Sequence, residues 1–291
     1  MFDFGRLEIL CKRTGSLPPL PTVVNRLIQA IDGGTASAFD LEKIVTSEPI
    51  LVAEIMRAVA NSPFRLAAEI NSLRQAIILL GHRTIRSIGI GFSVRTVTRL
   101  GCKATCFDAG TFISHSTKVA VLARYLYARV QSRGSMGADW SVDEGYAAAL
   151  LHDLGLALFA HVDPESFDRV FGIADVLGES IPLAFEKCYG AELSSLGAAA
   201  CESWRLPDVF VNTQRNFTFP AKDPKHMKSL CCILYADYLV ESMWPWKTKP
   251  VPDYVRSVVG LPDEEIPTVL ELISQESTAV QYSPFAASSV C

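Results

Sequence analysis

An adjacent histidine and aspartate, His152 and Asp153, stand within an apolar run of the sequence. His115 and Asp237 stand in two other apolar segments. Imidazole nitrogens and carboxylate oxygens are common ligands of divalent metal ions, so this order of residues predicts one metal site built by three segments of the chain. Two imidazoles and two carboxylates suit a single Mn²⁺, Fe²⁺, Ni²⁺ or Mg²⁺ ion better than structural zinc, which favours thiolates. Such an ion can polarise a phosphoryl oxygen or lower the pKa of a bound water.

Helical spacing turns these polar side chains toward apolar faces. At about 100° per residue, each of three segments places a polar group on the same face as apolar residues. These neighbours are Phe112, Val119, Leu122 and Leu126 for His115, Val142, Tyr146 and Ala149 for Asp153, and Leu230, Ile233 and Leu234 for Asp237. A buried carboxylate needs a partner, so we expect the side chains to meet in one pocket. Two interpretations remain open, a metal pocket and a His-Asp hydrogen-bonded core network without metal.

The elements that position these residues have helical patterns. Ser72 and Gln75 form a capping box, and Gly81 stands where a helix ends. Ser47 is expected to be the N-cap of a helix with Pro49 in its first turn. Because no alternating run supports a sheet, the sequence predicts an all-α protein.

A short stretch at residues 101–105 is the expected hinge between two helical units. The first is an N-terminal helical bundle, residues 1–103. The second, residues 104–291, holds all four candidate ligands and ends in a C-terminal helical extension. The length of 291 residues, with 49% hydrophobic residues, is ample for such cores.

Composition narrows the classes of partner. The net charge of −4 and the pI of about 5.8 disfavour nucleic acid. The sequence lacks a run of about 18 uninterrupted apolar residues and a signal-peptide organisation, so we expect a cytoplasmic protein without a membrane segment. Its eight cysteines form no Cys-x-x-Cys pair, which disfavours a zinc finger or a disulfide framework.

Basic residues concentrate between residues 55 and 107, with eight Arg and Lys against one acid. Arg83 and Arg86 do not share a helical face with Arg95 and Arg99, so no single basic stripe results. A solvated surface is the first interpretation. The second is a docking surface for an acidic partner or a small phosphate ligand around Arg83 and Arg86.

Short motifs distributed along the chain provide a family resemblance. They are LPPLP at 17–21, SEP at 47–49, NS at 61–62, SLRQAIILLG at 72–81, HS at 115–116, LHDLG at 151–155, GAE at 190–192, G at 197, WRLP at 204–207 and YAD at 235–237. Their order and spacing resemble HDOD domains, the HD-related output domains of bacterial signalling proteins. The resemblance extends over roughly residues 17–239.

The resemblance implies a non-catalytic regulatory module of signal transduction, of the kind found with response regulators, which acts through contacts with other signalling proteins. HDOD domains are similar to HD phosphohydrolases in their C-terminal half and carry an extra N-terminal helical bundle. In the HD superfamily, His115, His152, Asp153 and Asp237 match the metal-ligand order. The alternative is therefore a metal-dependent phosphohydrolase that acts on a nucleotide or another phosphate ester.

The sequence departs from active relatives at the remaining positions of the HD pattern. Leu156 stands where active HD-GYP enzymes carry Lys, Leu193 where a further His is common, and Asn216-Phe217 where a His-His pair occurs. These departures favour a regulatory protein over an enzyme, and we expect negligible hydrolysis of cyclic dinucleotides. Phosphate hydrolysis also requires cations. The nearest cations on the first ligand segment are Lys118, Arg124 and Arg129.

Overall fold

The computed structural model describes residues 20–60, 72–99, 102–134, 140–240 and 251–281. Every regular element in these ranges is a helix, which confirms the predicted all-α class. By compactness the chain divides into a unit Pro18–Val97 and a unit that contains Thr98–Cys291. The functional subdivision after residue 103 stays a prediction.

The first unit contains α1 (Thr22–Asp32), α2 (Ala38–Val45), α3 (Pro49–Ala60) and α4 (Leu73–Arg99). Helix α2 packs against both α1 and α3. The core is aliphatic, with Leu27, Leu41, Ile55 and Ile85 fully buried. Two ion pairs, Arg74 with Glu42 and Arg86 with Asp32, join α4 to the preceding helices.

Local signals place some helix ends in this unit correctly and one incorrectly. The backbone N–H of Gln75 donates to Oγ of Ser72 at 3.2 Å, as expected when Ser72 caps the helix. Gly81, with φ 75° and ψ 164°, breaks α4 at the predicted helix end. The N-cap prediction for Ser47 is wrong, because α3 begins at Pro49 and Ser47 Oγ donates to the carbonyl of Ile44. The last carbonyls of α2 lack helical partners, and Ser47 satisfies one of them.

The second unit is built around a long helix, α5, which packs against α6, α12, α13 and α14. The helices are α5 (Ala109–Ser132), α6 (Val142–Leu150), α7 (Leu154–Val162), α8 (Pro164–Leu177), α9 (Ile181–Tyr189), α10 (Ser194–Ser203), α11 (Asp208–Asn216), α12 (Met227–Leu239), α13 (Asp253–Val259) and α14 (Ile266–Gln281). Two short 3₁₀ helices, Pro220–Lys222 and Asp263–Glu265, lie between them. The apolar face predicted for α5 is buried, since Phe112, Val119, Leu122 and Leu126 are at most 1% exposed.

Helices α7 and α10 cross with almost no space between their backbones, because each has a glycine at the crossing. A Cβ on Gly155 would lie 2.5 Å from the carbonyl oxygen of Leu193. A Cβ on Gly197 would lie 3.1 Å from the backbone nitrogen of Gly155. This crossing fixes the start of α7, directly after His152 and Asp153.

One stretch, Glu144–Val162, is long and apolar enough by composition to cross a membrane, but 78% of it is buried inside the fold. It spans α6 and α7, which a turn at residues 151–153 separates. Burial and interruption by a turn are both typical of a segment in the core of a folded domain.

Candidate metal centre

Three segments of the second unit bring the four predicted ligands together. His115 lies on α5, Asp237 on α12, and His152 and Asp153 in the turn between α6 and α7. Atom Oδ1 of Asp237 is 3.2 Å from Nε2 of His115 and 3.4 Å from Nε2 of His152. The two Nε2 atoms are 3.3 Å apart. Three ligand-type atoms thus form a nearly equilateral triangle.

Asp153 adds a second carboxylate to this triangle. Its Oδ2 is 3.3 Å from Nε2 of His152 and 3.7 Å from Nε2 of His115. Asp153 occupies the N-cap position of α7 but makes no side-chain capping hydrogen bond. Its carboxylate is therefore directed to the histidines rather than to the helix end.

The orientation of His152 is fixed by a backbone hydrogen bond. Nδ1 of His152 lies 2.8 Å from the carbonyl oxygen of Ala149, one turn earlier. A carbonyl can only accept, so Nδ1 carries the proton and donates. In the neutral ring Nε2 is then unprotonated, and its lone pair is available to a cation. A backbone carbonyl often orients metal-binding histidines in this way.

The distances in the cluster fit ligands around one ion better than a hydrogen-bonded network. Charge-assisted N–H···O bonds are about 2.7–2.9 Å long, whereas the cluster distances are 3.2–3.7 Å. Two atoms that bind one ion at about 2.1 Å are about 3.0 Å apart in octahedral and about 3.4 Å apart in tetrahedral geometry. The atoms of His115, His152 and Asp237 therefore fit a single divalent metal ion, and Oδ2 of Asp153 lies farther out, 3.7 Å from His115.

The protonation equilibria also show that the cluster attracts positive charge. Burial lowers the pKa of His152, but the carboxylates of Asp153 and Asp237 outweigh it and raise this pKa well above 6.5. Burial raises the pKa of Asp237, and hydrogen bonds from His115 and His152 outweigh it and hold the pKa far below 3.8. A metal ion would replace the proton that these groups otherwise share.

Solvent reaches the cluster from the carboxylate side. His115 and His152 are buried, whereas the side chains of Asp153 and Asp237 are 25% and 19% exposed. Four protein ligands leave coordination positions vacant in an octahedral ion. A bound ion could therefore keep water or a small anion on the exposed side.

Three apolar residues at positions of the HD pattern lie in the core of the second unit. Leu156, Leu193 and Phe217 are 4–6% exposed. The ring of Phe217 meets the ring of His152 edge-on, with centroids 5.4 Å apart. Each of these residues stands where the sequence departs from the pattern of active relatives, and each is packed in the core.

Over residues 17–218 the sequence matches the HDOD domain family. The chain belongs to the HDOD family. The matched span contains His115, His152 and Asp153, and Asp237 lies beyond it.

Solved structures similar to this HDOD protein share its fold at low sequence identity. An HDOD domain protein with unknown function from Geobacter sulfurreducens is 21% identical, with a TM-score of 0.71 and coverage of 96% of this chain and 99% of that one. A putative signal transduction protein from Marinobacter aquaeolei VT8 is 20% identical, with a TM-score of 0.69. That match covers 95% of this chain and 64% of the Marinobacter chain.

A putative phosphohydrolase from Shewanella amazonensis SB2B is 18% identical, with a TM-score of 0.65 and coverage of 94% of this chain and 98% of that one. No curated protein matches the sequence. At sequence identities of 18–21%, these similarities show a shared fold and nothing further.

Two contacts that shape the site have no signal in the sequence. The carbonyl of Ala149 orients His152, and the amide of Gln214 donates to the carbonyl of Leu151. Neither residue stands in a recognisable motif, and Gln214 meets its partner across 63 residues of chain.

Proposed function

We propose that this HDOD protein is a regulatory module of a cytoplasmic signalling pathway, which acts through contacts with other signalling proteins and holds one divalent metal ion. His115, His152, Asp153 and Asp237 would hold the ion. In this proposal the ion joins α5, α12 and the turn between α6 and α7, so that metal binding stabilises the second unit.

One observation carries the non-catalytic part of the proposal. Leu156, Leu193 and Phe217, at positions where active relatives carry Lys or His, are core residues. A second metal ion would need ligands there, and apolar side chains supply none. The geometry therefore favours one metal ion in a stabilising role.

Two of the three cations on the first ligand segment, Arg124 and Arg129, have partners of their own. Arg129 makes two hydrogen bonds to Glu265 on the C-terminal extension, at 2.8 and 3.0 Å. The guanidinium of Arg124 lies over the ring of Tyr146, 5.6 Å from its centroid. Both cations have partners other than a substrate phosphate.

The second candidate function is a metal-dependent phosphohydrolase for a nucleotide or another phosphate ester. The observation that favours it is the partial exposure of Asp153 and Asp237, which gives a small substrate access to the cluster. A bound divalent ion would supply Lewis-acid chemistry there. His115, His152, Asp153 and Asp237 would hold the ion, and a phosphate ester would approach it from the exposed side. A small phosphate ligand of a regulatory protein could use the same opening.

The alternative anion site at Arg83 and Arg86 has less support, because Arg86 already pairs with Asp32 at 2.9 Å.

Metal analysis and hydrolysis assays of the purified protein separate the two functions. The purified wild type should contain about one divalent ion per chain. Cyclic dinucleotides and p-nitrophenyl phosphate, assayed with Mn²⁺ and Ni²⁺, should turn over far more slowly than about 1 s⁻¹. Wild-type turnover near 1 s⁻¹ with Mn²⁺ or Ni²⁺, absent with chelator, would establish the hydrolase instead.

A further inference from the structure

The side-chain amide of Gln214 is buried and contacts the turn that carries His152 and Asp153. Gln214 is on α11 and is 1% exposed. Its Nε2 donates to the carbonyl of Leu151, the residue immediately before His152. The same carbonyl accepts the backbone N–H of Leu154 at 2.9 Å. Two donors from different parts of the chain thus hold the peptide at the start of the turn that carries His152 and Asp153.

The oxygen end of this amide is destabilising. Oε1 of Gln214 is buried and has no hydrogen-bond partner among the described residues. A buried acceptor without a partner costs free energy that an apolar side chain of the same size would avoid. The contribution of Gln214 therefore lies in its one bond, to Leu151.

Gly197 provides the space that this amide occupies. A Cβ at residue 197 would lie 1.9 Å from Oε1 of Gln214 and 3.1 Å from the backbone nitrogen of Gly155. Any side chain at residue 197 must displace the amide, the crossing of α7 and α10, or both. Gln214 and Gly197 therefore act on the same turn.

We propose that Gln214 is a positioning residue of the metal centre, and that Gly197 makes its position possible. Through Leu151 it holds Nε2 of His152 and Oδ2 of Asp153 at the ligand positions. This inference rests on the proposed metal-binding function. Groups that orient metal ligands typically contribute about 10–100-fold to metal affinity.

The test is calorimetric titration of the metal-free, full-length protein with Mn²⁺. Gln214→Leu keeps the size of the side chain and removes the donor. We expect the dissociation constant of this variant to rise about 10–100-fold. Its melting temperature without metal should change by less than about 4 °C. The carbonyl of Leu151 still accepts the hydrogen bond from the N–H of Leu154, and the substitution removes the buried Oε1 that has no partner.

Thr213→Val is the matched control. Thr213 is the neighbouring residue of α11, is fully buried, and donates its Oγ1 only to Val209 of its own helix. This variant should bind Mn²⁺ like the wild type. The absorption spectrum of bound Co²⁺ gives a second readout, since it should change in Gln214→Leu and stay the same in Thr213→Val.

Gly197→Ala should also weaken Mn²⁺ binding, and the double variant Gly197→Ala, Gln214→Leu should bind no more weakly than the weaker single variant, because both changes act on one turn. If Gln214→Leu does not fold, Gln214→Met provides the same test.

Two negative outcomes are distinct. A folded Gln214 variant with wild-type Mn²⁺ affinity and Co²⁺ spectrum would overturn the role of Gln214 alone. A wild type that binds none of the divalent ions would overturn the metal site itself, and this inference with it.

Discussion

The Nε2 atoms of His115 and His152 face each other at 3.3 Å, a distance at which both rings could bind one ion. His152 donates its Nδ1 proton to the carbonyl of Ala149, so its Nε2 meets His115 with a lone pair or with a second proton. The carboxylate of Asp237 is close to both nitrogens. This relationship defines what the site must hold, which is positive charge, either as a metal ion or as a proton.

Removal of Asp237 distinguishes these two occupants. With Mn²⁺ or Ni²⁺ at about 100 times its dissociation constant, the wild type should gain about 2.7 kcal/mol. This corresponds to a rise of several degrees in melting temperature. Asp237→Ala should lose the metal response. With chelator it should also be less stable than the wild type by about 3–5 kcal/mol, because it leaves charged His152 with one partner fewer.

Asp223→Asn is the control for this comparison. Asp223 contacts Nδ1 of His226 at 2.8 Å in the same unit, so its variant also alters a His-Asp pair. It should keep the full metal response. Melting curves with chelator and with each metal provide the measurement, and a wild type that does not respond to any metal supports the proton-sharing network.

The pH dependence of stability should reverse on metal addition. The folded pKa of His152 is raised well above 6.5, so its contribution to the metal-free protein is complete below about pH 6.5 and disappears as the pH rises through the folded pKa. The lowered pKa of Asp237 acts in the opposite sense, since its contribution is present above 3.8 and lost in strong acid. Without metal, the free energy of unfolding should therefore fall as the pH rises above about 6.5.

With saturating Mn²⁺ the stabilisation by metal should grow over the same interval, because the ion binds the neutral imidazole of His152. Urea unfolding at several pH values, with chelator and with Mn²⁺, measures both trends. Parallel curves under the two conditions would contradict metal binding at the cluster.

Restoration of the enzyme-like residue at position 156 should destabilise the protein rather than create activity. The side chain of Leu156 is 5% exposed, so Leu156→Lys would bury an ammonium group in apolar surroundings. We expect a loss of about 2–4 kcal/mol in the free energy of unfolding and no hydrolysis of cyclic dinucleotides. Leu156→Met, which keeps the volume, should cost less than about 1.5 kcal/mol. A Leu156→Lys variant that is stable and active would show that the pocket can form a catalytic site.

Two glycines should respond to alanine in opposite directions. A Cβ on Gly155 would lie 2.5 Å from the carbonyl of Leu193, which is backbone and yields little. Gly155→Ala should therefore cost about 1–3 kcal/mol and weaken metal binding. A Cβ on Gly172, within α8, meets no atom within 4 Å, so Gly172→Ala should gain about 0.5–1 kcal/mol from helix propensity. Chemical denaturation of both variants tests the pair, and equal effects would contradict the close crossing of α7 and α10.

Much of the fold and of the site follows from the sequence because the relevant signals are local. The helical spacing of apolar residues around His115 and Asp237 predicted that both would face a core, and the structure places them 3.2 Å apart. Gly81 breaks α4 because glycine adopts a positive φ easily, and this preference can be read from the single residue. The same local reasoning failed at Ser47, since the carbonyl of Ile44 competes for its hydroxyl.

Only the tertiary structure decided how the ligands are oriented and what encloses them. The proton position on His152 depends on the carbonyl of Ala149, and the turn that carries His152 depends on Gln214, which is distant in sequence. The sequence specifies which residue types share a helical face, because that periodicity is a property of the helix. The distances between ligands arise from helix crossings such as that of Gly155 and Gly197, where packing of separate segments sets the backbone separation.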